Sequence, residues 1–170
     1  MRTLWPVRNW LIDHIPFLTI LILQWVALMP VRMPLFMDLN IGLAIDALFF
    51  WLIARPDLLS PAQVFLLGVH ADCLSGSVFG VHTFCFMLLA FLMYTQRHLL
   101  VGRSFGLLWG VQSIVMLAFM LLEWSISSLM AWHLFPLGFL ALRYLYMVGF
   151  YPIIAGLCGY CYDRFLDEAI

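Results

Sequence analysis

Several short patterns in this chain carry residue types capable of chemistry. Cys158-Gly159-Tyr160-Cys161 has the spacing of a thiol–disulfide exchange pair. That chemistry depends on a helix N-terminus or a cation to favour the thiolate, whereas this pair ends the last apolar run, so no redox role is expected. His70-x-x-Cys73 and His82-x-x-Cys85 repeat at an offset of twelve and offer four zinc-type ligands. Their thiols would have to ionise in an apolar layer, so helix packing is the expected role, with no metal and no other cofactor. Ser75 and Ser77 have no partner base with a defining motif and read as turn residues. Without an acylation triad, a phosphate-cradling loop or a paired-carboxylate signature, the chain does not read as an enzyme.

The residues that demand explanation are charges inside apolar runs: Asp46, Asp72, Glu123 and Arg143. On insertion scales a charged side chain at membrane depth costs about 2.5–3.5 kcal/mol, so one that persists there has a functional or pairing role by default. Asp72 lies in the most unusual stretch, Gly68-Val-His-Ala-Asp72-Cys-Leu-Ser75-Gly76-Ser-Val-Phe-Gly80-Val-His82, which combines the carboxylate with three glycines.

The elements that position these charges follow from composition. The 170 residues are 65% hydrophobic and only 10% charged, against about 25% charged in soluble domains. The apolar runs are continuous rather than alternating, which predicts transmembrane helices and not a barrel. Eight arginines, no lysine and a net charge of −1 supply no basic stripe for nucleic acid. The expectation is an all-α polytopic membrane protein, one domain over 1–170, with six transmembrane helices at about 14–29, 39–54, 61–75, 78–96, 105–130 and 136–160. Ala27-Leu28-Met29 fits poorly as a cleavage site, so the first span is read as uncleaved.

Two boundaries have a physical basis. Ser60-Pro61-Ala62-Gln63 has an N-cap serine, proline at the first helical position and a glutamine able to bond back, so a helix starts at Pro61. Continued to Gln96 it would be about 54 Å long, against a hydrocarbon core of about 30 Å. The chain must therefore fold back, and Ser75-Gly76-Ser77 is the break, near the outer face. Were the helix continuous, Gly76 and Gly80 would form a small-xxx-small packing pair. In the six-span scheme Arg2, Arg8, Arg55, Arg97, Arg103 and Arg164 face the cytoplasm and Arg32 alone faces out, which puts both termini inside.

Counted from the outer ends of their spans, Asp46, Glu123 and Arg143 each lie about 10 Å deep and Asp72 lies higher, just beneath the turn. They are expected to form one polar layer in the outer half, joined by Gln24. Glu123 and Arg143, on consecutive antiparallel spans, are expected to pair; the alternative is that each reaches separately for the outer headgroups.

From Asp38 to Tyr94 the chain resembles the bacterial rod shape-determining MreD family. The resemblance is carried by Arg55-Pro56-Asp57 after the second span, by Gly68-x-x-x-Asp72-x-x-Ser75-Gly76-x-x-x-Gly80-Val81-His82, and by an aliphatic span ending at Tyr94. It implies a non-enzymatic scaffold subunit of the cell-elongation machinery in the bacterial inner (cytoplasmic) membrane, helping direct lateral peptidoglycan synthesis. The implied partners are MreC, RodA, a penicillin-binding transpeptidase and, indirectly, MreB. It also implies a fold similar to the substrate-binding subunits of energy-coupling-factor transporters, whose outward pocket the polar layer would line. The alternative function is a substrate-binding transport subunit for a small molecule or a lipid-linked precursor. For a scaffold, Gly68, Gly76 and Gly80 are the expected surfaces against which partner helices pack.

Overall fold

The computed structural model describes residues 14–26, 42–76, 78–132 and 137–165. The N-terminal segment, residues 27–41 with Arg32 and Asp38, Ser77, the turn at His133 and the C-terminal tail lie outside these residues, and so do the expectations that concern them. Every regular element described is helical: α1 (Ile15–Val26), α2 (Gly42–Ala54), α3 (Pro61–Ser75), α4 (Val81–Gln96), α5 (Phe105–Ala131) and α6 (Leu137–Phe165). Single 3-10 turns at Pro56–Leu58 and Arg97–Leu99 help close the α2–α3 and α4–α5 connections.

The centre of the bundle is α2. Nine of its 13 residues are buried, among them Ala44, Ala47, Leu48, Phe49, Trp51 and Leu52, and a helix apolar on all sides is one surrounded by others. It packs against α1, α4 and α6. Trp51 puts its indole N–H to use by donating to Thr19 Oγ1 at 2.9 Å, which ties α2 to α1.

The most extensive pairing is α3 with α4. Helix α3 starts as its sequence dictates: Ser60 Oγ accepts from the Gln63 N–H at 3.3 Å, and Gln63 Oε1 accepts from the Ser60 N–H at 2.8 Å. It stops at Ser75, where Gly76 takes the left-handed conformation at φ +61°, and Gly80 at φ +98° opens α4. Glycine adopts these conformations without the steric cost that a Cβ brings. Gly76 and Gly80 are thus the two shoulders of a hairpin, not a packing pair on one continuous helix. At the other end of the hairpin the Tyr94 hydroxyl donates to the Leu59 carbonyl.

Among the described residues two helices are long and apolar enough to cross a membrane, over Phe105–Met130 in α5 and Arg143–Arg164 in α6, and only 22% of each such window is buried. Ile114, Leu129, Leu145 and Ile153 are more than 60% exposed. Such faces belong in an apolar surrounding. Helix α6 carries Pro152 in its interior. Proline has no N–H, so the carbonyl four residues back, Val148, loses its helical donor. The Trp109 indole of α5 donates to that carbonyl at 2.9 Å. The Tyr144 hydroxyl donates to the Ser113 carbonyl at 3.2 Å, a second link between the same helices.

Candidate functional site

Asp72 stands three residues before the end of α3, buried, and directed at the start of α4. A helix N-terminus leaves its first N–H groups without intrahelical partners, and an N-cap side chain normally accepts from the second or third of them. Helix α4 has no such side chain, because its N-cap is Gly80. Asp72 supplies the acceptor from the preceding helix. Its Oδ1 accepts from the His82 N–H at 2.9 Å and its Oδ2 from the Thr83 N–H at 3.1 Å. The Thr83 hydroxyl donates to the same Oδ2, and His82 Nδ1 lies 3.0 Å from Oδ1. Four donor groups, all from the first turn of α4, converge on one carboxylate. A negative charge is also favoured there by the helix dipole.

Gly68 explains how α4 comes close enough. Residues 68 and 72 share a face of α3, one turn apart. A Cβ on Gly68 would stand 2.6 Å from the Thr83 Cα, so the two backbones touch at that position. In Gly68-x-x-x-Asp72 the glycine permits the approach and the aspartate holds it. The close contact that this glycine allows is therefore made within the chain. At Gly76 and Gly80, on the hairpin tip, an added Cβ would meet nothing within 4 Å. Of the three glycines expected to face partner helices, Gly68 is engaged within the chain, whereas Gly76 and Gly80 shape the turn and are open.

The cluster extends outward through His82. Its Nε2 lies 3.6 Å from Glu123 Oε1 on α5. Glu123 in turn meets Arg143 of α6, with Nη2 to Oε2 at 3.0 Å and Nη1 to Oε1 at 3.3 Å. Side chains on a helix lean toward its N-terminus, and α5 and α6 are antiparallel, so these two long side chains lean toward one another. Asp72, His82, Glu123 and Arg143 thus connect α3, α4, α5 and α6. Ser75 Oγ donates to the Asp72 carbonyl at 3.1 Å and lies 3.5 Å from His82 Nδ1. The serine and the aspartate approach the same ring nitrogen, whereas a hydrolytic triad uses one nitrogen for each.

Gln24 and Asp46 do not join this cluster. Gln24 Nε2 donates to the Leu67 carbonyl at 3.0 Å and its Oε1 lies 2.6 Å from His70 Nδ1, a separate link between α1 and α3. Asp46, fully buried on α2, accepts from Gln112 Nε2 at 2.6 Å. Eleven residues of α5, about 16 Å of helix, separate Gln112 from Glu123. The single polar layer expected from counting residues is therefore three separate links. Counting places the outer ends of all spans at one level, whereas the hairpin and the helix contacts set their own.

His82, Thr83 and Gln112 are the members that charge counting passes over. A signal for the first two is present: polar residues opening a helix behind a glycine need an acceptor from elsewhere. Gln112 is neutral and does not interrupt the hydropathy of its helix. Among the described residues no three His, Cys, Asp or Glu side chains converge as a metal site requires. The four cysteines are free thiols, Cys85 and Cys158 buried, Cys161 half-buried and Cys73 exposed.

A protein-family model described as rod shape-determining protein MreD matches residues 47–161. That interval contains the whole Asp72 cluster and continues through α5 and most of α6, well beyond the Tyr94 limit of the motif resemblance. No curated protein and no solved structure matches the chain.

Proposed function

From the premise that this chain belongs to the MreD family of rod shape-determining proteins, we propose that it is a non-enzymatic scaffold subunit of the cell-elongation machinery. In this reading it crosses the bacterial inner membrane six times with both termini in the cytoplasm. Its partners are MreC, RodA and a penicillin-binding transpeptidase, with MreB reached indirectly, and its bundle is of the energy-coupling-factor substrate-subunit type.

The observation that carries the reading is the way Asp72 is used. Helix α3 is about 22 Å long, so a hairpin starting at the inner interface ends short of the far side of a hydrocarbon core of about 30 Å. The apolar tip agrees, since Phe79 is 68% exposed. Backbone N–H groups at that depth have no water to turn to, and Asp72 supplies what they need. A transport subunit needs polar groups turned toward a ligand, whereas those of Asp72 and Thr83 are directed at each other. This use of the carboxylate favours a rigid corner over a binding pocket.

A scaffold works through its outer surface. With Gly68 occupied internally, Gly106-x-x-x-Gly110 on α5 offers an open small-residue surface, where a Cβ would meet nothing within 4 Å. Spacing of this kind lets a second helix approach closely. The test is expression of the full chain in a rod-shaped bacterium lacking its own homologue, followed by extraction in mild detergent. Restored rod shape with an MreC-like partner retained supports the scaffold, and Gly110→Leu is expected to weaken that retention while leaving insertion intact. A bound small molecule in native mass spectrometry, with no partner retained, overturns the reading.

A further inference from the structure

The connection between α4 and α5 is of a different kind from the α3–α4 hairpin. Between these two helices runs a crevice of about 210 Å³. Its floor is Leu89, Val115 and Phe119, all buried, and its rim is Leu88, Leu92 and Ile114, all exposed. No polar side chain other than the Cys85 thiol lines it. Leucine, isoleucine, valine and phenylalanine side chains along a crevice of this kind offer apolar contact to a hydrocarbon chain.

Charge beyond its inner end identifies the kind of chain. The inner end of the crevice, at Leu92, lies about 8 Å along α4 from Arg97, and Ile114 lies about 14 Å along α5 from Phe105, two residues after Arg103. The segment joining α4 to α5 carries Arg97, His98 and Arg103 and no carboxylate. Among the described residues neither of these arginines has a carboxylate partner. The other inner connection differs, because Arg55 is neutralised by Asp57 at 3.1 Å. Uncompensated arginines at the cytoplasmic end of an intramembrane groove are the arrangement that recognises an anionic headgroup.

We propose that the α4–α5 crevice is a binding site for an anionic glycerophospholipid of the inner leaflet, one acyl chain lying between Leu88, Leu92 and Ile114 and the phosphate held by Arg97 and Arg103. The site rests on the membrane placement proposed above but not on the scaffold role. Lipid retention by the isolated chain and rod-shape complementation are separate readouts, so either can fail alone.

The test is native mass spectrometry of the delipidated full chain in mild detergent, titrated in parallel with phosphatidylglycerol, phosphatidylethanolamine and soluble glycerophosphoglycerol. Phosphatidylglycerol is expected to bind most tightly. A basic residue near the membrane surface contributes about fivefold in affinity, so Arg97→Gln with Arg103→Gln is expected to weaken phosphatidylglycerol roughly 30-fold and leave phosphatidylethanolamine nearly unchanged. Ala118→Phe, which fills the crevice without touching the arginines, is expected to weaken both lipids. Equal binding of the two lipids to the unaltered chain, or no loss in the double arginine variant, overturns the headgroup assignment. Unchanged retention in Ala118→Phe, or competition by glycerophosphoglycerol as effective as by the lipid, shows a free phosphate site and overturns the crevice. Displacement of phosphatidylglycerol by a second copy of the chain or by a partner's helix overturns it as well. Helicity and thermal midpoint of each variant establish that it is folded.

Discussion

Two buried carboxylates in this bundle are treated in opposite ways. Asp72 receives four donors from the first turn of α4, and both of its oxygens are used. Asp46 receives one, from Gln112, and its Oδ2 is left without a partner among the described residues, as is Gln112 Oε1. The difference teaches that burying a charged residue type in an apolar bundle is not one phenomenon. At Asp72 the polar group answers a demand that the backbone creates, since a helix must begin there. At Asp46 the polar pair answers only itself and leaves acceptor capacity over.

The contrast is most easily broken at Asp72. Asp72→Ala removes the acceptor from two backbone N–H groups and two side chains at once, and is expected to cost about 3 kcal/mol or more. Unfolding in mixed detergent micelles, followed by helicity, measures it; a loss below about 1 kcal/mol would end the account of Asp72 as the cap of α4. Next is Gly68→Ala, whose methyl group meets the Thr83 backbone rather than a flexible side chain end. The helices must separate, and about 1–3 kcal/mol is expected from overpacking by the same measurement.

Asp46 sharpens the comparison from the other side. Asp46→Leu alone strands the Gln112 amide and is expected to cost about 1–3 kcal/mol. Asp46→Leu with Gln112→Leu removes both partners and should recover most of that loss, because an apolar pair can replace a buried polar one. A double variant less stable than the single one would show that the Asp46 site has a positive role. The smallest effect belongs to the ion pair, whose side chains are 17% and 21% exposed. Glu123→Gln is expected to cost about 1 kcal/mol, and the charge swap Glu123→Arg with Arg143→Glu should restore what either single reversal loses.

What is legible in the sequence is whatever a local rule enforces. The Ser60 cap, the fold-back forced by helix length, the Gly76 break and the Glu123–Arg143 pairing all follow from spacing within one or two consecutive helices. Links between distant helices are not legible. Gln112 reaches Asp46 across 66 positions, and no pattern in either helix signals it. Gln24 stands out as an anomaly, but depth counting assigns it the wrong neighbours, because its partner is set by how α1 packs on α3. The role of Asp72 is half legible: its burial is evident, but the need it meets becomes visible only when Gly80 is known to be the N-cap.

The Pro152 defect in α6 has a mechanical consequence. A helix missing one internal bond is more compliant at that turn than on either side, so the residues before and after Val148 form two rods meeting at a joint. The vacant carbonyl is filled by the Trp109 indole, which belongs to another helix. Bending at the joint therefore pulls on α5 four residues from its start, and the Trp109 indole joins the Tyr144–Ser113 and Glu123–Arg143 links through which a load on one helix reaches the other.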